Sequence, residues 1–351
     1  MSQSQEAQNQ REMALVILPD PVDVPTLAAK PRPIGSTSQH TNSGASCRWY
    51  RFPVKLHPDR DEWIEVAGEL ATRQPLTQDT TIQVLLAGGS NNGSYWDWPL
   101  EPEKQSYVRH ATLDGFATLN LDRPGYGNSD RPDPTTTDFV AQAYAIHQVI
   151  QYLKAGALGC KFKRVILNGH SMGGMVAWHA ASRFRSADAV VVSGVGHNLS
   201  DVAMKLVFDA VMPIEQHPGY GRGLGWAPGY FVRRLIPEAP KLAADWYTSM
   251  LEDTVMLAEL NAIGPDSRNT SITMAIDVPV LFALGQKDLR WCTSTFDCAT
   301  DPTFLNESGF YKPGADFTSF LIPDAGHLTN KDPGAHFFFE RVTSWLRERG
   351  F

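Results

Sequence analysis

The chain has 351 residues, 42% hydrophobic and 20% charged, with a formal net charge of −7. That composition supports a sizeable core, and the length suits either two domains or one large domain carrying an insertion. Acid and base are scattered without a polybasic groove, which argues against nucleic acid as a partner. No stretch approaches the roughly 20 apolar residues of a membrane span. The early apolar run Met13–Leu18 is short for a signal-peptide core and stops at Pro19-Asp20-Pro21, so a cytoplasmic protein is expected.

In chain order, residues 1–45 are rich in Gln, Ser, Pro and Thr, show no clean period, and read as a flexible or loosely docked arm. Arg48–Leu56 and Trp63–Ala71 alternate apolar with polar and predict an antiparallel pair at a sheet edge. From residue 81 short apolar runs alternate with helical periods. Ile82–Leu86, Phe116–Leu121, Val165–Leu167, Ala189–Val192, Val278–Leu284 and Phe317–Ile322 predict buried parallel strands. Phe139, Ala143, Ile146, Ile150 and Leu153 share one helical face, with Asp138 or Thr137 as its cap. A last helix is expected to start at Asp332 as N-cap with Pro333 in the first turn, its stripe being Phe338, Val342 and Trp345. This is an α/β pattern: a mostly parallel central sheet with helices on both faces, over 46–196 and 273–351.

Residues 197–272 break the rhythm and predict an inserted helical cap, rich in large apolar groups such as Met204, Phe208, Trp226 and Trp246 and interrupted by Pro218-Gly219 and Pro228-Gly229. Cys292 and Cys298 either bridge a loop or stay as two free thiols; the distance between their Cα atoms decides.

Gly169-His170-Ser171-Met172-Gly173-Gly174 lies between a predicted strand and a predicted helix. A serine on such a turn has its Oγ thrust above the sheet, and the glycines let the backbone fold without Cβ clashes. Ser171 is therefore the candidate nucleophile, and a serine needs a base. His327, in Asp324-Ala325-Gly326-His327, follows the last strand, and Asp288 follows Val278–Leu284, so both fall at the same sheet edge. In this arrangement the carboxylate orients the imidazole and stabilises its cation. Asp201, Asp297 and Asp301 are the rival acids. The loop Ala87-Gly88-Gly89-Ser90 brings backbone close to a substrate, and the amides of Gly89 and Met172 are the expected oxyanion donors. Gly88, Ser90, His197, Trp226 and Trp246 are candidate substrate contacts. The histidines and cysteines lack the paired spacing of a zinc site, so no metal is expected, and no cofactor is expected either.

With these motifs and Asp122-Arg123-Pro124-Gly125-Tyr126-Gly127-Asn128-Ser129 in order, the chain resembles an α/β-hydrolase of the abhydrolase-1 type over about residues 80–351. The resemblance implies a Ser-Asp-His triad, and the Asp122–Ser129 turn shapes the fold. Ala87 departs from the pattern, since many relatives carry there a histidine that supports the oxyanion loop. Serine at 171 argues against epoxide hydrolases and haloalkane dehalogenases, whose nucleophile is a carboxylate. Hydrolysis of a lipophilic carboxylic ester is the leading expectation. Lactonase, thioesterase or C–C bond hydrolase activity keeps the same triad, a cofactor-free haloperoxidase-like activity is a further option, and a ligand receptor or cyclase is the alternative from another class.

Overall fold

The computed structural model describes residues 31–39, 44–99, 101–197, 199, 204–205, 208, 211–213, 224–226, 253–288, 290–292 and 298–351. Its strands are β1 (Arg32–Gln39), β2 (Ser46–Lys55), β3 (Trp63–Thr72), β4 (Thr81–Leu86), β5 (Ala117–Leu121), β6 (Arg164–His170), β7 (Ala189–Ser193), β8 (Val211–Pro213), β9 (Leu224–Trp226), β10 (Thr254–Val255), β11 (Val280–Gly285) and β12 (Phe317–Ile322). Nine of them form one sheet in the order β1-β2-β3-β5-β4-β6-β7-β11-β12. The six from β5 to β12 run parallel, while β1, β2 and β3 pair antiparallel at one edge.

The helices that matter for the site are α1 (Tyr107–Leu113), α2 (Phe139–Ala155), α3 (Met172–Phe184), α4 (Leu257–Arg268), α5 (Thr270–Met274) and α6 (Ala335–Glu348). Period-2 alternation along the strands sorts their side chains into two apolar layers. Val84, Val165, Leu167, Val190 and Val192 pack with Ile146, Ile150 and Trp178. Leu85, Ile166 and Val191 pack on the other side with Tyr107, Phe338 and Trp345. Covered on both faces, β4 is buried along its whole length, Thr81 and Gln83 included.

Two local expectations changed, and one alternative was resolved. Residues 32–39, assigned by composition to a flexible or loosely docked arm, form β1 against β2, with an irregularity between Ile34 and Ser38. Polar composition concealed this edge strand, whose backbone pairs with β2. Residues 1–30 lie outside the described ones. Asp138 does cap α2, accepting from the Ala141 amide at 2.8 Å, and Gly156 ends the helix at φ 86°. Asp332, by contrast, is not the N-cap of α6: Gly334 is, and Pro333 precedes the helix. The Asp332 carboxylate is spent instead on the amide of Gly326 at 2.6 Å.

Of residues 197–272, the described parts hold α4, the start of α5 and a small antiparallel sheet, β10-β9-β8, where the sequence suggested a mostly helical cap. The remainder of the expected cap lies outside the described residues. Cys292 and Cys298 form a disulfide with Cα atoms 5.1 Å apart, which resolves the alternative in favour of a bridge. No helix among the described residues is long and apolar enough to cross a membrane.

Candidate active site

Strand β6 ends at His170 and α3 begins at Met172, so Ser171 alone makes the turn. Its backbone sits at φ 52°, ψ −122°, a region L residues rarely adopt. The turn is held by the Ser171 amide donating to Ser193 O at 2.8 Å and by the Gly174 amide donating to Ser171 O at 2.8 Å. Glycine is required at both flanks. A Cβ on Gly169 would run into the Gly173 carbonyl, and one on Gly173 into the carbonyls of Leu86 and Ala87 at the end of β4.

Two loops from the same sheet edge meet this serine. After β11, Asp288 is fixed in a tight turn: its amide donates to Gly285 O, and Trp291 and Cys292 donate to its carbonyl. After β12, the loop to α6 carries His327, with Asp332 holding the Gly326 amide from below. His327 Nδ1 lies 2.9 Å from Asp288 Oδ2, and Nε2 lies 3.0 Å from Ser171 Oγ. Asp288 is fully buried and His327 nearly so. Burial is the largest influence on the imidazole and pushes its pKa below the usual 6.5, with Arg290 adding to the effect and Asp288 opposing it. A neutral imidazole oriented by a carboxylate can take the serine proton, and the resulting cation is stabilised by that carboxylate. Of the rival acids, Asp301 is buried beyond the disulfide, its carbonyl accepting from Leu305, and Asp201 and Asp297 lie outside the described residues.

The loop after β4 lies against the turn. Gly88 and Gly89 face Ser171 and the Met172 side chain so closely that a Cβ on Gly89 would collide with the Met172 sulfur. The carbonyls of this loop are tied down in sequence. Ala87 O and Gly88 O accept from Arg123 Nε and Nη2 at 2.8 and 3.1 Å, and Gly89 O accepts from Asn91 Nδ2 at 2.8 Å. Ser90, buried and at φ 54°, gives its carbonyl to the Asp253 amide at 3.0 Å. A cleft opens above, lined by Gly89, Met172, Ser171 and His327 together with the apolar Met175, Leu199, Ile263 and Trp291, and by Asn91 and Arg290.

Other sequence candidates lie elsewhere. His197 is not on the cleft wall; its ring is buried between Trp178 and Phe310 and bonded to Glu307 and Thr273. An apolar strand followed by histidine suggested a pocket residue, but the chain turns this one into the core. Ser90 acts through its backbone at the loop's rear. Trp226 lies on β9 opposite Val211, and Trp246 lies outside the described residues. Sequence reasoning missed Arg123, Asn91, Arg290 and Trp291. The first belongs to a motif that was read as a fold-shaping turn, and the last two stand within three residues of Asp288. His170, the spacer inside the turn, is buried, stacks on Tyr95 at 4.5 Å, and burial holds its pKa well below the usual value. Among the described residues no group of three or more His, Cys, Asp or Glu is arranged to hold a metal ion.

Comparison with known proteins agrees with this architecture. The profile of the alpha/beta hydrolase family matches residues 83–336. A putative carbamate hydrolase, RutD, of Escherichia coli O17:K52:H18 (strain UMN026 / ExPEC) is 26% identical over 129 residues, 37% of this chain and 40% of that protein. The chain thus spans well under two thirds of this curated relative. A thermophilic esterase from Thermogutta terrifontis superposes with a TM-score of 0.57 at 19% identity, covering 85% of this chain and 97% of the esterase. E-2-(acetamidomethylene)succinate hydrolase gives a TM-score of 0.58 at 16% identity, covering 85% and 99%. At such identities the two structures speak for the fold alone. The family profile spans well over half of the sequence, and the chain belongs to the alpha/beta hydrolase family.

Proposed function

We propose that the protein is a serine hydrolase that cleaves a carboxylic ester through an acyl-enzyme. Ser171 attacks the carbonyl carbon and His327 Nε2 takes its proton, while Asp288 holds the imidazole by Nδ1. The tetrahedral oxyanion is bound by the amides of Gly89 and Met172. His327 then protonates the leaving alcohol, and water repeats the sequence to release the acid. The observation that carries this reading is the unbroken chain Oγ, Nε2, Nδ1, Oδ2, with spacings of 3.0 and 2.9 Å, on a serine in a strained turn. Met175, Leu199, Ile263 and Trp291 around the cleft favour an apolar acyl or alcohol group. The similar proteins are named as a putative carbamate hydrolase, a thermophilic esterase and an E-2-(acetamidomethylene)succinate hydrolase, a range that includes ester cleavage.

A fluorophosphonate probe tests this. Labelling at Ser171 that is lost in His327→Ala, with turnover of a p-nitrophenyl ester series abolished in Ser171→Ala, is the expected result. Labelling at another residue, or wild-type turnover by Ser171→Ala, would remove the covalent mechanism.

A further inference from the structure

We propose that Arg123 is a positioning residue that aims the Gly89 amide at the oxyanion, an inference that rests on the triad reading above. The guanidinium is almost wholly buried, and its two edges do different jobs. One edge, Nε and Nη2, forks onto the consecutive carbonyls of Ala87 and Gly88. The other, through Nη1, meets Gln142 Oε1 at 2.6 Å on α2 and Glu259 Oε1 on α4. Tyr126 lies under the guanidinium at 4.2 Å and donates its hydroxyl to Glu259 Oε2 at 2.5 Å.

The consequence follows from peptide geometry. Gly88 C=O and Gly89 N–H belong to one planar trans unit, so they point in opposite directions. A cation that captures the carbonyl therefore turns the amide the other way, towards the cleft that Gly89 shares with Ser171 and Met172. The same contact polarises the peptide and makes that N–H a stronger donor. Two glycines in a row would otherwise leave this peptide free to flip. Lysine cannot replace the fork, because it offers a point charge where two carbonyls must be held at a fixed spacing. Arg123 thus supports a loop that has alanine, not histidine, at position 87.

The test compares wild type, Arg123→Lys, and the double variant Arg123→Met/Glu259→Gln, which removes both charges so that neither is left stranded. Rates on p-nitrophenyl butyrate are expressed per Ser171 titrated with fluorophosphonate, so unfolded protein does not count. Loss of one oxyanion donor typically costs about 10²–10³ in kcat, and a misdirected donor should cost about 10–100-fold. We expect kcat to fall by that factor in the double variant, with KM changed by less than about threefold. Affinity for a trifluoromethyl ketone, which forms a tetrahedral adduct, should fall in parallel, and Arg123→Lys should lie between the two. Wild-type kcat per titrated site in either variant overturns the proposal. So does the absence of any titratable site in both variants beside a normal wild type, since that makes the residue's role one of folding alone. Failure of the triad reading looks different: the wild type itself then carries no label on Ser171.

Discussion

Among the described residues, two clusters link a hydroxyl, an imidazole and a carboxylate at nearly the same distances. Ser171, His327 and Asp288 span 3.0 and 2.9 Å; Thr273, His197 and Glu307 span 3.0 and 2.7 Å. Their surroundings separate them. The Thr273 hydroxyl sits within α5 and donates its proton to Phe310 O at 2.5 Å, so towards His197 it can only accept. The His197 ring is enclosed by Trp178, Phe310 and Tyr311 and does not line the cleft beside Ser171. Ser171 has a strained backbone, a helix N-terminus behind it and open space in front. Distance alone does not make a nucleophile; access, a proton free to leave, and nearby amides do. The second cluster braces the chain after β7 against α5 and the 307–310 turn.

The sharpest way to break this contrast is to remove each hydroxyl. Ser171→Ala should lower kcat by about a million-fold, by analogy with serine proteases. Thr273→Val should leave kcat per folded molecule near wild type. It should cost about 1–3 kcal/mol in urea unfolding, because it strands a buried imidazole N–H. A Thr273→Val enzyme as dead as Ser171→Ala would erase the distinction. A smaller effect concerns the disulfide beside the acid. Replacing Cys292 and Cys298 by serine reopens a short loop and should cost about 2 kcal/mol by chain entropy, read from the same unfolding curves. The smallest effect is on the pH profile. The base must be neutral, and its folded pKa lies below 6.5, so kcat/KM should persist into mild acid and fall only as pH drops through that lowered value. Arg290 contributes to the lowering, so Arg290→Gln should move the acidic limb upward; a downward move would contradict that assignment.

Much of this was legible in the sequence, and the exceptions share a cause. Ser171, Asp288 and His327 stand at strand ends, where topology alone brings distant positions together, and the strand pattern is a local signal. The edge strand β1 was hidden because polar residues paired by backbone give no apolar period. Asp332 fits an N-cap by local rules, but a contact to Gly326 claims its carboxylate. Arg123 looked like part of a turn because its meaning lies in partners 36 and 136 positions away. His197 was misjudged in the same way, since nothing near it in sequence announces Glu307. Long-range polar pairing leaves no periodic trace.

The backbone of Ser171 carries a further cost. Conformations of that kind are unfavourable by about 1–3 kcal/mol for any residue with a side chain, and glycine would relieve them. On the proposed mechanism, durability and turnover are therefore opposed at a single codon. A heat-only selection would reward Ser171→Gly, which that mechanism makes sturdier but inert, so any stabilisation campaign has to hold that position constant and score catalysis in every round.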